Sequence, residues 1–333
     1  MTRLVQLQND KDRRVAIVEE PRLRLLRAQS IYELAQEAIR RHEPLTTLVT
    51  QAATDQTVDY DPVYTGASDW EILTPIDHPQ GPHRCLVSGT GLTHLGSARD
   101  RQSMHAPAAD ANETDSTKMF RWGVEGGRPP SGQIGAAPEW FYKGNATVLR
   151  AHGQPLVVPP YALDGGEEAE IAGVYLIDPD GRPRRIGMAP GNEFSDHRFE
   201  KLNYLNLAAS KLRNCSLGPE LVIDPSFDAV NGEVSIERGG KQIWSKPIHT
   251  GQAEMCHSLA NIEHHHFKFE PHRQPGDLHV HYFGACALSF GDGIQLTDGD
   301  VMTIRFDPFG RPLRNPLRDP RPGADAPVIV TPL

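Results

Sequence analysis

The chain has 333 residues, 23% of them charged, and a formal net charge of -9. That length can bury one large domain plus a small one, while the acidic balance excludes a nucleic-acid partner, which needs a basic face. No stretch reaches the apolar length that spans a bilayer, and Met1-Thr2-Arg3-Leu4 opens without an apolar signal core, which predicts a cytoplasmic protein with no membrane partner.

In chain order, Arg14–Val18 reads as a strand, and Ser30-Ile31-Tyr32-Glu33 is a capping-box pattern opening a helix through about Arg41. Residues 60–81 are rich in Asp, Pro and Gly without periodicity and read as a linker. This places a boundary near residue 80, between a small α/β module (1–80) and the remainder (81–333). From Arg84 onward short strands alternate with Gly and Pro turns; the 30 glycines and 28 prolines favour a β-rich enzyme over a helical bundle. The polar stretch Arg99–Gly135 reads as a mobile lid, one long helix is predicted over Asp196–Arg213, and Pro316–Pro322 is expected to wrap the surface. Cys85, Cys215, Cys256 and Cys286 are scattered without C-x-x-C spacing and read as small buried hydrophobes.

The densest chemistry lies between residues 138 and 219. Glu168 and Glu170 open a stretch whose apolar tail, Ile171–Ile177, reads as a buried strand, so the two carboxylates share one face. Glu193 follows in the turn Gly191-Asn192-Glu193-Phe194-Ser195-Asp196. Side-by-side carboxylates repel, and a hard dication that prefers oxygen ligands, magnesium or manganese, relieves the repulsion. The competing reading is an exposed E-x-E pair on an edge strand. Lys143 ends the aromatic strand Glu139-Trp140-Phe141-Tyr142, where it could hold a substrate carboxylate, serve as acid or base, or snorkel at the surface. Later histidines, His257, His264, His265, His266, His272, His279 and His281, crowd one region. His279 and His281 share a strand face that could contribute to a transition-metal site, but Glu263–Phe269 alternates like a half-exposed strand, so most read as polar surface or packing residues.

The order Pro-Glu-x-Phe-x-Lys (138–143), Glu-x-Glu, Gly-Asn-acid-x-Ser (191–195), then Lys211 with Ser216-Leu217-Gly218-Pro219 resembles the fumarylacetoacetate hydrolase superfamily, and 296–301 and 309–316 resemble its closing strands. The resemblance runs from about residue 85 to 317. It implies an α+β, β-rich fold, a mixed β-sandwich roll behind the N-terminal module, assembled as a homodimer and holding magnesium or manganese on three carboxylates with a 2-oxo acid substrate chelating the metal. Glu168 and Glu170 fall on the paired glutamates, Glu193 stands where most members carry Asp, and Lys211 and Lys143 fall on the family's lysines. Ser195 and His197 then join Lys143 as candidate substrate-binding residues, His197 standing where many members carry Arg. The superfamily's hydrolases use a histidine in a Gly-x-x-Tyr-x-x-His segment; here Gly91–Ser97 puts Ser97 in its place, with His94 or His105 as replacements in another register. Candidate catalytic residues are therefore Lys211, Lys143, Ser97 and His94. The nearest branch dehydrates 2-keto-3-deoxy sugar acids, so the expected activity is a metal-dependent dehydratase converting a 2-keto-3-deoxypentonate to 2-oxoglutarate semialdehyde through a metal-stabilised enolate. A hydrolase of 2,4-diketo acids or acylpyruvates is the alternative, and a non-catalytic sugar-acid sensor is the reading from another class.

Overall fold

The computed structural model describes residues 1–96, 98, 114–321 and 326–333. Two mixed sheets dominate. Strands β1 (Thr2–Gln8), β2 (Arg13–Glu19), β3 (Arg22–Leu26), β4 (Ala53–Asp59) and β5 (Glu71–Ile72) come from the N-terminal 80 residues. They are followed by β6 (Cys85–Gly91), β7 (Glu139–Asn145), β8 (Leu149–Arg150), β9 (Leu156–Val157), β10 (Ala169–Ile177) and β11 (Pro183–Asn192). The remainder are β12 (Cys215–Leu217), β13 (Leu221–Ile223), β14 (Val230–Arg238), β15 (Lys241–Thr250), β16 (Leu278–Tyr282), β17 (Val301–Phe306) and β18 (Leu313–Arg318). The large sheet runs β4-β3-β2-β1-β13-β11-β10-β16-β6-β7, with β5, β8 and β12 attached at its margins; the small sheet runs β15-β14-β17-β18-β9. The expected β-rich α+β architecture is present.

β10 sits in the middle of the large sheet and is buried along its whole length, which removes the exposed-edge reading of its acids. Its alternation divides two cores. Ala172, Val174 and Leu176 face a layer that includes Ile31, Leu34 and Ala38 of the helix Ile31–Arg41, whereas Ile171, Tyr175 and Ile177 face β14, β17 and the helix Leu259–Phe267. The Ile31–Arg41 helix starts where its capping pattern places it: the Ser30 hydroxyl accepts from Glu33 N at 3.1 Å. The reciprocal bond goes one residue further back, Glu33 Oε2 accepting from Gln29 N at 3.2 Å.

Three sequence expectations are corrected in these segments. Residues 60–81 are more than a linker: Tyr60–Thr65 is a helix whose Tyr60 is buried with its hydroxyl on Glu220, and β5 pairs with β1. The helix foreseen over 196–213 is broken into His197–Leu202, a 3-10 turn Tyr204–Asn206 and Leu207–Lys211, because Asn203 is extended (φ -164°) and caps Leu205 N through its own side chain. Pro316–Arg318 is not wrapping tail but the end of β18, paired with β17 and β9. The lid region contains the helix Asp115–Gly126, capped by Thr114; residues 99–113, including His105, lie outside the described residues.

Candidate active site

The acids are aimed by three adjacent segments. Glu168 immediately precedes β10, Glu170 is its second residue, and Glu193 immediately follows β11, which pairs antiparallel with β10 so that Ala169 faces Asn192 and Glu170 faces Gly191. Asn192 ties the two strands: its side-chain oxygen accepts from Glu168 N at 3.1 Å and from Phe194 N at 3.2 Å. Gly191 allows the approach, since a Cβ there would lie 2.4 Å from the Tyr282 ring. The chain then passes through Phe194, a fully buried non-glycine residue at φ 24°, a conformation that persists only where its surroundings impose it.

The result is three buried carboxylates whose oxygens can be chosen within 4.8 Å of one another. Burial, with the charges of Glu193 and Glu168, pushes the Glu170 carboxyl well above its ordinary range. Burial and Glu168 raise Glu193 to about 7 against the opposing pull of both lysines. Glu170 Oε2 accepts the Gly284 N–H at 2.7 Å.

Both lysines are fully buried in this cluster, which rejects the surface reading of Lys143. The Lys143 ammonium donates to Glu193 Oε1, to the Glu193 carbonyl and, at 2.7 Å, to the Phe194 carbonyl. Two of its three donors are thus spent on backbone. Lys211 donates to Glu168 Oε1 at 2.6 Å, to Glu193 Oε2 and to Ser195 Oγ at 3.0 Å, and stands over the Phe141 ring, 4.7 Å from its centroid. Ser195 in turn donates to Glu193 at 3.1–3.2 Å. His197 Nε2 lies 3.0 Å from Glu168 Oε1; burial lowers the affinity of its ring for a proton, but the hydrogen bond and charge of Glu168 outweigh this and raise its pKa.

The structure therefore brings together Glu168, Glu170, Glu193, Lys143, Lys211, Ser195 and His197. It does not place the His94 ring on a carboxylate of this cluster: His94 is buried between the hydroxyls of Thr93 (2.9 Å) and Thr250 (3.0 Å), and burial lowers its pKa to about 4. Its neighbour Thr93 bonds Phe283 O, next to the Gly284 that serves Glu170. Ser97 lies outside the described residues.

Three contributors had no assigned role in the sequence. Glu139 shares the buried face of β7 with Phe141 and Lys143, and its Oε2 accepts from the Tyr204 hydroxyl at 3.0 Å. Glu167 is fully buried and accepts from Ser289 N (2.7 Å) and Oγ (2.8 Å), fixing the turn whose Phe290 packs on His197 at 5.3 Å between ring centroids. Asp196 pairs with Arg213 at 3.0 Å and caps the helix that starts at His197. The alternation of β7 was the available signal for Glu139; nothing local marks Glu167.

No family model and no curated protein sequence matches the chain. Solved structures do match its fold. A 2-keto-3-deoxy-D-arabinonate dehydratase complexed with magnesium and 2,5-dioxopentanoate superposes with a TM-score of 0.69 at 17% identity, over 96% of this chain and 99% of that one. A 2-hydroxyhepta-2,4-diene-1,7-dioate isomerase from Mycobacterium marinum gives 0.59 at 16% identity, over 96% and 100%, and a 5-carboxymethyl-2-hydroxymuconate delta-isomerase from Mycobacterium smegmatis gives 0.56 at 16%, over 95% and 99%. The chain has the fold of fumarylacetoacetate hydrolase-like proteins, as the order of its motifs implied.

Proposed function

We propose that the chain is a divalent-metal-dependent dehydratase of a 2-keto-3-deoxy sugar acid, with 2-keto-3-deoxypentonate as the first substrate to try. The observation that carries this reading is the composition of the buried cluster. A dication bound here would hold all three carboxylates ionised, and with the two ammonium groups the cluster would then carry one net positive charge, complementary to a monoanionic 2-oxo acid. Glu168, Glu170 and Glu193 would hold the cation, magnesium or manganese by their all-oxygen character. Bound there, it would polarise the 2-oxo carbonyl and acidify the C3 protons. The magnesium and 2,5-dioxopentanoate in the dehydratase of like fold are the species this reading calls for.

The reaction removes one C3 proton and the C4 hydroxyl as water; the unsaturated 2-oxo acid then tautomerises, C5 giving up hydrogen to become the aldehyde of 2-oxoglutarate semialdehyde. Lys211 is the proton carrier best placed for C3, because its hydrogen-bond partners among the described residues include side-chain oxygens, the rotatable Ser195 hydroxyl among them, that it can exchange for substrate. Lys143 is a positioning residue: its bonds to the 193 and 194 carbonyls fix the loop that presents Glu193. The Glu139–Tyr204 pair, on the same face of β7 as Phe141 and Lys143, can return a proton to the leaving hydroxyl. His197 and Ser195 border the cluster where a sugar hydroxyl would lie.

The hydrolase reading ranks second because His94, one of its two candidate bases, has both ring nitrogens on threonine hydroxyls; the other, His105, lies outside the described residues. Mass spectrometry of racemic 2-keto-3-deoxypentonate incubated with protein and magnesium separates the two. The dehydratase gives loss of one water with all five carbons retained, abolished by EDTA. Absence of that loss, with pyruvate released from acylpyruvates instead, would overturn it.

A further inference from the structure

The opposite face of the large sheet carries ligand-grade side chains that the proposed reaction does not use. His279 and His281 pair across from Tyr175 and Gly173 and so point away from the carboxylates, which share the face of Ala172 and Val174. His266 comes from the inner side of the helix Leu259–Phe267, and half-buried His272 from the 3-10 turn Glu270–Arg273. One ring nitrogen each from His266, His272 and His279 can be chosen so that all lie within 4.8 Å of one another. The ring centroids are 4.8 Å (266–272), 5.0 Å (266–279) and 5.6 Å (272–279) apart.

Two observations go beyond packing. Buried ring nitrogens normally find a partner, yet Nε2 of His279, a residue with no exposed surface, has none among the described residues. The second concerns where the protons sit. His272 Nδ1 lies 2.7 Å from the His266 carbonyl, which can only accept, so the proton is on Nδ1 and Nε2 presents its lone pair. A ring N–H donated to a backbone carbonyl is the arrangement that orients metal-bound histidines.

His266 has a comparable outlet. Its Nδ1 is 3.4 Å from Ser88 Oγ, Ser88 Oγ is 2.8 Å from His281 Nδ1, and His281 Nε2 is 2.8 Å from Thr90 Oγ1. With Nδ1–H of His266 donating to Ser88, Ser88 to His281 Nδ1, and His281 Nε2–H to Thr90, His266 Nε2 accepts from His279 Nδ1 at 2.9 Å, a hydrogen bond that a bound cation has to displace. The cost is the Trp140 Nε1 bond to His266 Nδ1 at 3.2 Å, on a ring that is only half-buried.

We propose that His266, His272 and His279 form a second cation site, for a borderline transition-metal dication of the zinc, cobalt or nickel class, separate from the oxygen-lined magnesium site. Imidazole suits these ions and carboxylate suits magnesium, so the two sites discriminate by ligand chemistry. A tetrahedral zinc with bonds of about 2.0–2.1 Å needs its nitrogens about 3.3 Å apart. His272, half-buried on a short and otherwise exposed turn, is the ligand able to close that gap, and the fourth position falls to solvent on its side. The ion would clamp the helix Leu259–Phe267, the following turn and β16 together.

The test is a cobalt(II) titration of metal-stripped full-length protein with magnesium in excess, read by visible ligand-field absorption. One equivalent bound with the intense absorption of tetrahedral nitrogen coordination is expected. It should persist in Glu170→Gln, which leaves the histidines untouched, and weaken by about tenfold or more in His272→Ala, whose fold is checked by circular dichroism. Only the faint absorption of octahedral cobalt in the wild type, or binding unchanged in His272→Ala and lost in Glu170→Gln, would overturn the proposal. The wild-type spectrum decides without either variant. The Glu170→Gln arm separates failure of this site from failure of the magnesium site.

Discussion

On one face of the large sheet, Glu168 and Glu193 are buried in ion pairs with Lys143 and Lys211, with Glu170 beside them; on the other, His266, His279 and His281 are buried to the same depth and discharged, with burial pushing His279 and His281 down to about 3. The charged solution leaves strong fields to act on a substrate but collapses when one partner is removed. The neutral solution tolerates loss of a member, because only hydrogen bonds and packing go with it. The same strands β10 and β16 support both, by alternation.

The sharpest way to test this contrast is to remove charge without volume. Glu170→Gln should lower magnesium-dependent turnover by about a thousandfold, the loss of roughly 4 kcal/mol of transition-state stabilisation, with the far-ultraviolet dichroism preserved. A variant that turns over normally would remove Glu170 from the chemistry. Lys143→Met leaves Glu193 buried beside one fewer ammonium and should cost about 3–5 kcal/mol in urea denaturation. A cost below 1 kcal/mol would show that the pair is dispensable.

The discharged strategy can be probed away from both faces at His152, which stacks on Tyr64 at 4.2 Å, reaches the Tyr64 carbonyl through Nε2 and accepts from Arg314 N through Nδ1. Burial lowers its pKa to about 4. The unfolded chain takes up its proton near 6.5 and the folded one near 4, so this contribution is fully present above about pH 6.5 and is lost as pH falls toward 4. It amounts to about 3 kcal/mol. His152→Gln should flatten the acid limb of stability against pH over that window; an unchanged limb would contradict it. The smallest effect concerns geometry: a methyl at Gly191 meets the Tyr282 ring, so Gly191→Ala should cost about 1–3 kcal/mol and weaken manganese binding by moving Glu193. Unaltered stability would mean that Tyr282 yields freely.

Part of the charged face was legible because strand alternation is local and sets Glu168 and Glu170 on one face; Lys143 and Lys211 were singled out by the resemblance of motif order, since Lys143 read locally as well as a surface lysine. What the sequence concealed were contacts set by distant segments, such as Glu167 on Ser289 and the backbone acceptors of Lys143. The histidine face was misread. Glu263–Phe269 looked like a half-exposed strand, but it belongs to the helix Leu259–Phe267, started by Ser258, whose hydroxyl accepts from Asn261 N at 3.2 Å. Leu259, Ile262 and His266 form its inward stripe, and a histidine in the third place disguises the period. The break at Asn203 was similarly hidden, since an asparagine inside a helical pattern gives little warning that its side chain will cap the next turn.

The most direct test is whether Glu168, Glu170 and Glu193 hold one divalent ion that a 2-oxo acid then engages. Electron paramagnetic resonance of manganese(II), titrated into the metal-stripped protein with and without pyruvate, reads both. The account predicts one tightly bound ion per chain, a spectrum altered by pyruvate, and loss of both in Glu170→Gln. Manganese bound equally well by Glu170→Gln, or a bound ion indifferent to pyruvate, would contradict it.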